Sequence, residues 1–194
     1  MENKTKIILA SKSPRRAKIL KMIGINFKIV PSEIKEEVNK NTEQSEIAIA
    51  LSKKKAKKIS YKYPTHTIIG ADTIIVSNGK IFGKPKDLVE SKQMLKALSG
   101  NSHKVITGVT LINGSIGEIK TFSATTKVFV KKIPLEKIEY YINNFHTLDK
   151  AGSYGIQEWF SVWIKKINGC YYNVMGLPIS KFYRHFVEFE RLMK

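Results

Sequence analysis

The run "HTIIGADTIIV", His66 to Val76, does most to limit what this chain can fold into. A strand with one wet face alternates apolar and polar residues, whereas this one is apolar at both parities, the pattern of a strand covered on both sides. It predicts a long buried strand. The Asn78-Gly79 pair that follows is a tight-turn signal and predicts a hairpin into "KIFGKP". Within the run, Asp72 is the one acidic residue. A carboxylate buried without a partner costs several kcal/mol or takes up a proton, so Asp72 requires a metal ion, a cation, or a cleft at the end of the sheet. The plain alternative is a hydrogen-bonded structural Asp. A two-residue turn would set Thr73 opposite Lys84, and a three-residue turn with a glycine bulge would make Asp72 and Lys84 diagonal neighbours. The expectation is the three-residue turn, or that Lys84 leaves the strand at Gly83.

The rest of the chain alternates element types. "KIILA" reads as a short buried strand, Ser13 to Ile23 as a helix stopped by Gly24, and "FKIV" as a strand. Thr42 to Ser60 reads as a helix, and Asp87-x-x-Glu90 as a capping box for a helix ending at Ser99-Gly100. "HKVITGVTLI", an Asn113-Gly114 turn and Thr121 to Val130 follow, then a helix from Leu135 to Phe145. A third turn, Asn168-Gly169, joins "VWIKKI" to "CYYNVMG", and a closing helix aligns Ile179, Phe182, Tyr183 and Phe186. The order predicts an α/β fold with hairpins among βα units. At 194 residues the expectation is one domain, 1–194.

"LASKSPRRAKIL" carries a local contradiction. Ser13-Pro14 starts a helix, since Ser caps and proline suits the first helical position. Arg15 and Arg16 then stand in the first turn, where the helix dipole disfavours cations. A polyphosphate would resolve the conflict: the first-turn N–H groups, the Ser11 and Ser13 hydroxyls and two guanidinium forks all suit its oxygens. The loop is not glycine-rich, so neither GxxxxGK[ST] nor GxGxxG is present. Exposed arginines at an ordinary helix start are the plain alternative.

The net charge of +18 suggests a polyanion partner, or simply lysine-coated wet faces. The densest run, "KKKAKK" from Lys53 to Lys58, lies in a helical pattern, and no zinc-finger, helix-turn-helix or RNA-binding signature accompanies it. Nucleic acid is therefore not the expected partner. No apolar run reaches the length a membrane helix needs, no secretory leader is evident, and Cys170 is the single cysteine, so a cytoplasmic protein is expected. His66, His103, His146 and His185 are scattered, which argues against zinc.

"LASKSPRR", "GADTIIV", "GKPKD", "LSGNSHKVITGV", "DKAGSYGIQ" and "NVMGLP" occur in the order and approximate spacing of the Maf family, and from Ile7 to about Phe186 the chain resembles it. These are nucleoside triphosphate pyrophosphatases once named for inhibition of septum formation. The resemblance implies a mixed α/β sheet with flanking helices, related to the inosine triphosphate pyrophosphatases, with two lobes around a cleft and commonly a homodimer. It also implies hydrolysis between the α- and β-phosphates with a divalent metal, magnesium or manganese.

Carried over position by position, the resemblance makes Ser11, Arg15, Arg16, Lys55 and Gln157 substrate-binding, and Asp72 and Lys84 catalytic. It gives the metal to Asp72 and Glu36, with Glu33 the other candidate, because this chain has Lys35 where the family commonly has an Asp-Glu pair. "GIQEWFSVWI" departs from the family too, with bulkier residues where glycines follow Gln157. "AGSYGIQ" resembles the branch acting on dTTP and UTP. A Gln amide can donate to a pyrimidine carbonyl while accepting from N3–H. Tyr154 either stacks on the base or packs inside; Trp159 and Trp163 read as core or interface. The competing function is a non-catalytic polyanion-binding regulator of cell division, which would bind DNA or RNA with steep salt dependence.

Overall fold

The structure, a computed structural model, describes residues 6–34 and 42–192, so the candidate Glu36 lies outside the described residues. Its strands are β1 (Ile7–Leu9), β2 (Lys28–Ile29), β3 (Thr67–Ser77), β4 (Lys80–Phe82), β5 (Ser102–Asn113), β6 (Glu118–Val130) and β7 (Ile164–Asn168). Helices α1 (Pro14–Met22), α2 (Gln44–Ser60), α3 (Leu88–Leu98), α4 (Leu135–Asn144), α5 (Tyr171–Val174) and α6 (Ile179–Arg191) alternate with them. The seven strands form one mixed sheet in the order β2-β1-β3-β5-β6-β7, with β4 paired to β3. Strand β1 runs parallel to β2 and β3, while β3/β4 and β6/β7 are antiparallel. This is the mixed α/β architecture that the sequence predicts.

The chain divides into two compact units. One comprises Met1–Asp72, Thr107–Ala124 and Gly176–Lys194, the other Thr73–Ile106 and Thr125–Met175. In the first, α2 lies close on the sheet because two strand positions lack side chains. A Cβ at Gly70 would stand 2.4 Å from Ser52 O and 2.8 Å from Ala56 Cβ, and one at Gly108 would stand 2.2 Å from Ala48 C and O. Around this approach Ile8, Ala10, Ala56, Ile59, Ile68 and Ile112 form a buried cluster. Each fully buried Ile adds about 1.5–3 kcal/mol to the folded state. The Ser52 and Thr110 hydroxyls, both buried, satisfy one another at 2.7 Å.

Helix α6 buries Phe182, Phe186 and Phe189. Tyr183 is 51% exposed, contrary to the expected stripe. The buried set follows 4- and 3-residue steps, which keep one face inward, and Tyr183 sits about 100° further round. Helix ends largely follow their sequence signals. Ser13 Oγ accepts from Arg16 N at 3.4 Å with Pro14 at the first position, and Gly24 ends α1 with φ +73°. Asp87 Oδ1 accepts from Glu90 N at 2.7 Å, but Glu90 reaches back to Lys86 N rather than to Asp87 N.

In the second unit, Asn78 and Gly79 both take positive φ, +48° and +73°, and the register runs Ile75↔Phe82, Val76↔Ile81, Ser77↔Lys80. This is the two-residue turn, not the three-residue one, because two left-handed residues close the hairpin without a bulge. Pairing stops at Phe82, so Lys84 leaves the ladder as the alternative expectation had it and lies exposed before α3. Helix α3 packs against α4 and the 151–153 turn, with Ser91 Oγ donating to Thr147 Oγ1 at 3.0 Å. Among the described residues, no helix is long and apolar enough to cross a membrane.

Candidate active site

In the first unit the parallel register fixes the site. Leu9 pairs with Ile69, and Ala10 N donates to Ile69 O at 2.8 Å. Continuing that register sets Ser11 across from Ala71, so the loop into α1 emerges beside Asp72, strands being about 4.8 Å apart. Because strand side chains alternate, Asp72 shares the face of Ile68 and Gly70, the face that α2 covers. On α2, Ser52, Lys55, Ala56 and Ile59 recur at helical spacing toward that face, and Lys55 is its one lysine. Lys54, Lys57 and Lys58 are exposed. Lys55 Nζ therefore meets Asp72 Oδ1 in an ion pair whose side chains are only 12% and 7% exposed. Of the partners that the buried carboxylate demanded, the cation is present within the chain.

The α1 entry is equally ordered. Arg16 is buried, its Nε donating to Gly176 O at 2.9 Å and its Nη1 to Ser11 Oγ at 3.1 Å. Ser11 Oγ also accepts from Ser13 N at 3.2 Å. Both contacts use Ser11 as acceptor. Arg15 is half-buried on the first turn. The segment after β2 is clipped to the same strand end, with Val30 N donating to Leu9 O at 3.1 Å and Ser32 Oγ to Ala10 O at 2.9 Å. This brings Glu33 to Lys12 at 2.7 Å, and Lys58 Nζ donates to Glu33 O. The Lys12 hydrogen bond and charge hold the Glu33 carboxyl below the usual carboxylate range. Unit one thus gathers Ser11, Arg16, Lys55 and Asp72, with Glu33 flanking them.

Among the described residues, no three His, Cys, Asp or Glu side chains converge as a metal cage. Asp72 supplies one buried carboxylate. That donor set suits a hard ion that takes most of its oxygens from a phosphate ligand and water, as magnesium does.

In the second unit, Gln157 is exposed and its Nε2 donates to Glu158 Oε1 at 3.3 Å. Glu158 is held in turn by Lys150 Nζ at 3.2 Å and by the Tyr141 hydroxyl, which donates to Oε2 at 3.1 Å. Lys150 is 4% exposed and also bonds His146 O and, at 2.8 Å, Asp149 Oδ1. Gly155 N donates to the Tyr141 oxygen at 3.1 Å, while burial pushes the Tyr141 hydroxyl up, so it stays protonated. Tyr154 does not face a ligand: it is buried, bonds His103 Nε2 at 2.7 Å and packs on Phe160. Trp159 joins Tyr140, Tyr141 and Phe145 in an aromatic cluster. Periodicity gave no hint of Lys150, Tyr141 or Glu158 as a unit. The bulky Glu158 after Gln157 was the available signal.

The profile of the family described as Maf-like protein matches residues 6–189. A protein of Carboxydothermus hydrogenoformans named dTTP/UTP pyrophosphatase is 45% identical over 183 residues, covering 94% of this chain and 98% of its own. Proteins of the same name from Thermosipho melanesiensis and Bacillus cereus are 49% and 42% identical, covering 90% and 97% of this chain and 93% and 92% of theirs. With its end-to-end match and its Ser11, Arg16 and Asp72 gathered at the head of β1, the chain belongs to the Maf family.

Proposed function

We propose that this chain hydrolyses dTTP and UTP between the α- and β-phosphates, giving the monophosphate and pyrophosphate. The observation that carries the reading is the buried Asp72–Lys55 pair beside the Ser11–Arg16 helix entry, a carboxylate and a phosphate cradle at the end of paired parallel strands. Relatives matched over more than nine-tenths of their own length that bear the dTTP/UTP pyrophosphatase name support it.

In this reading the first-turn N–H groups of α1, the Ser11 hydroxyl and Arg15 grip phosphate oxygens, while Arg16 holds the loop and presents its guanidinium. Asp72 orients water and accepts its proton for attack at the α-phosphorus. Lys84 neutralises charge on the departing pyrophosphate, and Lys55 offsets the charge of Asp72. Gln157 pairs with the base through its carboxamide. Asp72, with Glu36 or Glu33, would hold a magnesium or manganese ion, which when bound would supply further neutralisation of the triphosphate. The lysine-rich surface steers the anionic substrate with salt-dependent on-rate. A cytoplasmic homodimer completes the reading, with light scattering as the check on its size.

The test is pyrophosphate release from a panel of ordinary and base-modified triphosphates, with magnesium, with manganese and with chelator. Release from dTTP and UTP that requires metal and is lost in Asp72→Asn supports the reading, and no release with either metal overturns it. The net charge of +18 favours one competitor, a polyanion-binding regulator. Tight nucleic-acid binding that weakens steeply with salt, in a protein without hydrolysis, would favour that instead.

A further inference from the structure

The Gln157 carboxamide does not stand alone. Its Nε2 donates to Glu158 Oε1, and that carboxylate is itself fixed from both sides, by the buried Lys150 ammonium on Oε1 and the Tyr141 hydroxyl on Oε2. The Tyr141 oxygen is fixed in turn by Gly155 N. Gly155 leaves room for this arrangement: a Cβ there would come within 2.7 Å of the Glu158 carboxyl carbon. A carboxamide is nearly symmetric in shape, so rotating it half a turn exchanges donor and acceptor at little steric cost. Against a carboxylate the two orientations are not equal. One sets N–H against O⁻, the other C=O against O⁻.

We propose that Glu158 is a specificity-positioning residue, fixing which end of the Gln157 amide donates and thereby selecting uracil and thymine over cytosine. The inference rests on the base-reading role given to Gln157 above. Uracil and thymine present a carbonyl acceptor beside the N3–H donor, whereas cytosine presents an amino donor beside the N3 acceptor. An amide locked in one orientation matches the first edge and opposes the second. Reversal would match cytosine, and reversal is what the Glu158 carboxylate forbids.

In Glu158→Gln the neighbour becomes an amide that can accept from Nε2 or donate to Oε1, so both orientations of Gln157 become acceptable. The ratio of kcat/KM for UTP to that for CTP should then fall about tenfold, the scale of one mispaired hydrogen bond. Tyr141→Phe, which keeps the Lys150–Glu158 pair but removes one restraint, should move the ratio the same way by less, and it reads the same quantity if Glu158→Gln fails to fold. A purely structural Glu158 would lower both kcat/KM values together. An unchanged ratio in folded variants of an active, uracil-selecting parent therefore overturns this inference alone. A parent that releases no pyrophosphate from UTP overturns the function above, and this inference with it.

Discussion

Lys55 Nζ donates to Asp72 Oδ1 across the contact between α2 and β3, joining the one lysine on the sheet-facing side of the helix to the one carboxylate in an apolar strand. Neither residue would be tolerable there alone. The pair explains how the strand carries an acidic group at 5% exposure, and why one lysine of the basic run differs from its neighbours.

Removing one partner should therefore cost more than removing both. Lys55→Met strands a buried carboxylate and should lower the unfolding free energy by about 3 kcal/mol, with Lys55→Met/Asp72→Asn recovering part of it. Urea titration of the set measures this. A loss in the double variant equal to the sum of the losses in Lys55→Met and Asp72→Asn would show that the pair contributes no coupling. Pyrophosphate release should fall about 100-fold or more in Asp72→Asn.

The adjacent arginines should separate by phenotype. Arg16 ties Ser11 to Gly176 O from a buried position, and Arg15 is half-buried on the helix turn. Arg16→Gln should lower Tm along with kcat/KM for dTTP, while Arg15→Gln should raise KM and leave Tm within about 2 °C of the parent. Thermal melts beside initial rates decide the matter. An Arg15→Gln protein as unstable as Arg16→Gln would contradict the division of labour.

Helix α2 rests on glycine. Ala at 108 would place a methyl 2.2 Å from the Ala48 backbone, which has no rotamer with which to yield. Gly108→Ala should destabilise by about 2–3 kcal/mol and, by pushing α2 off the sheet, lengthen the Lys55–Asp72 contact and lower turnover. A variant as stable as the parent would mean that the helix can ride higher at no cost.

Burial pushes the His103 imidazole down to about 4, where the unfolded chain would titrate near its ordinary value of 6.5. Between those values the unfolded state binds more protons than the folded one, so stability is fully retained above pH 6.5 and drains away as pH falls toward 4. The loss due to this group is about 3 kcal/mol. His103→Gln should shrink the difference in unfolding free energy between pH 7 and pH 4 by about that amount. Parallel pH dependences in parent and variant would assign the acid sensitivity elsewhere.

Much of the site's local geometry was legible because it depends on short-range rules. Ser13-Pro14 announced a helix start, Asn78-Gly79 a hairpin, and Asp72 in an apolar run demanded a partner. The turn type was not legible, since Asn-Gly serves two-residue and three-residue hairpins alike and the pairing of Val76 with Ile81 settles which. Tyr183 failed as a core residue because a stripe chosen by apolarity spans more of the helix than its packing partners cover.

By itself the sequence determined most of the strand and helix types, though not the short helix α5, together with the charge conflict at Arg15 and Arg16 and the motifs that carry family membership, all of which are encoded by residues near one another along the chain. Only the tertiary structure decided that Lys55 is the cation Asp72 needed, that Arg16 grips Gly176 O, and that Lys150 and Tyr141 brace Glu158. These contacts join segments far apart in sequence, and which lysine or tyrosine arrives is fixed by strand register and by how closely a helix can approach two glycines.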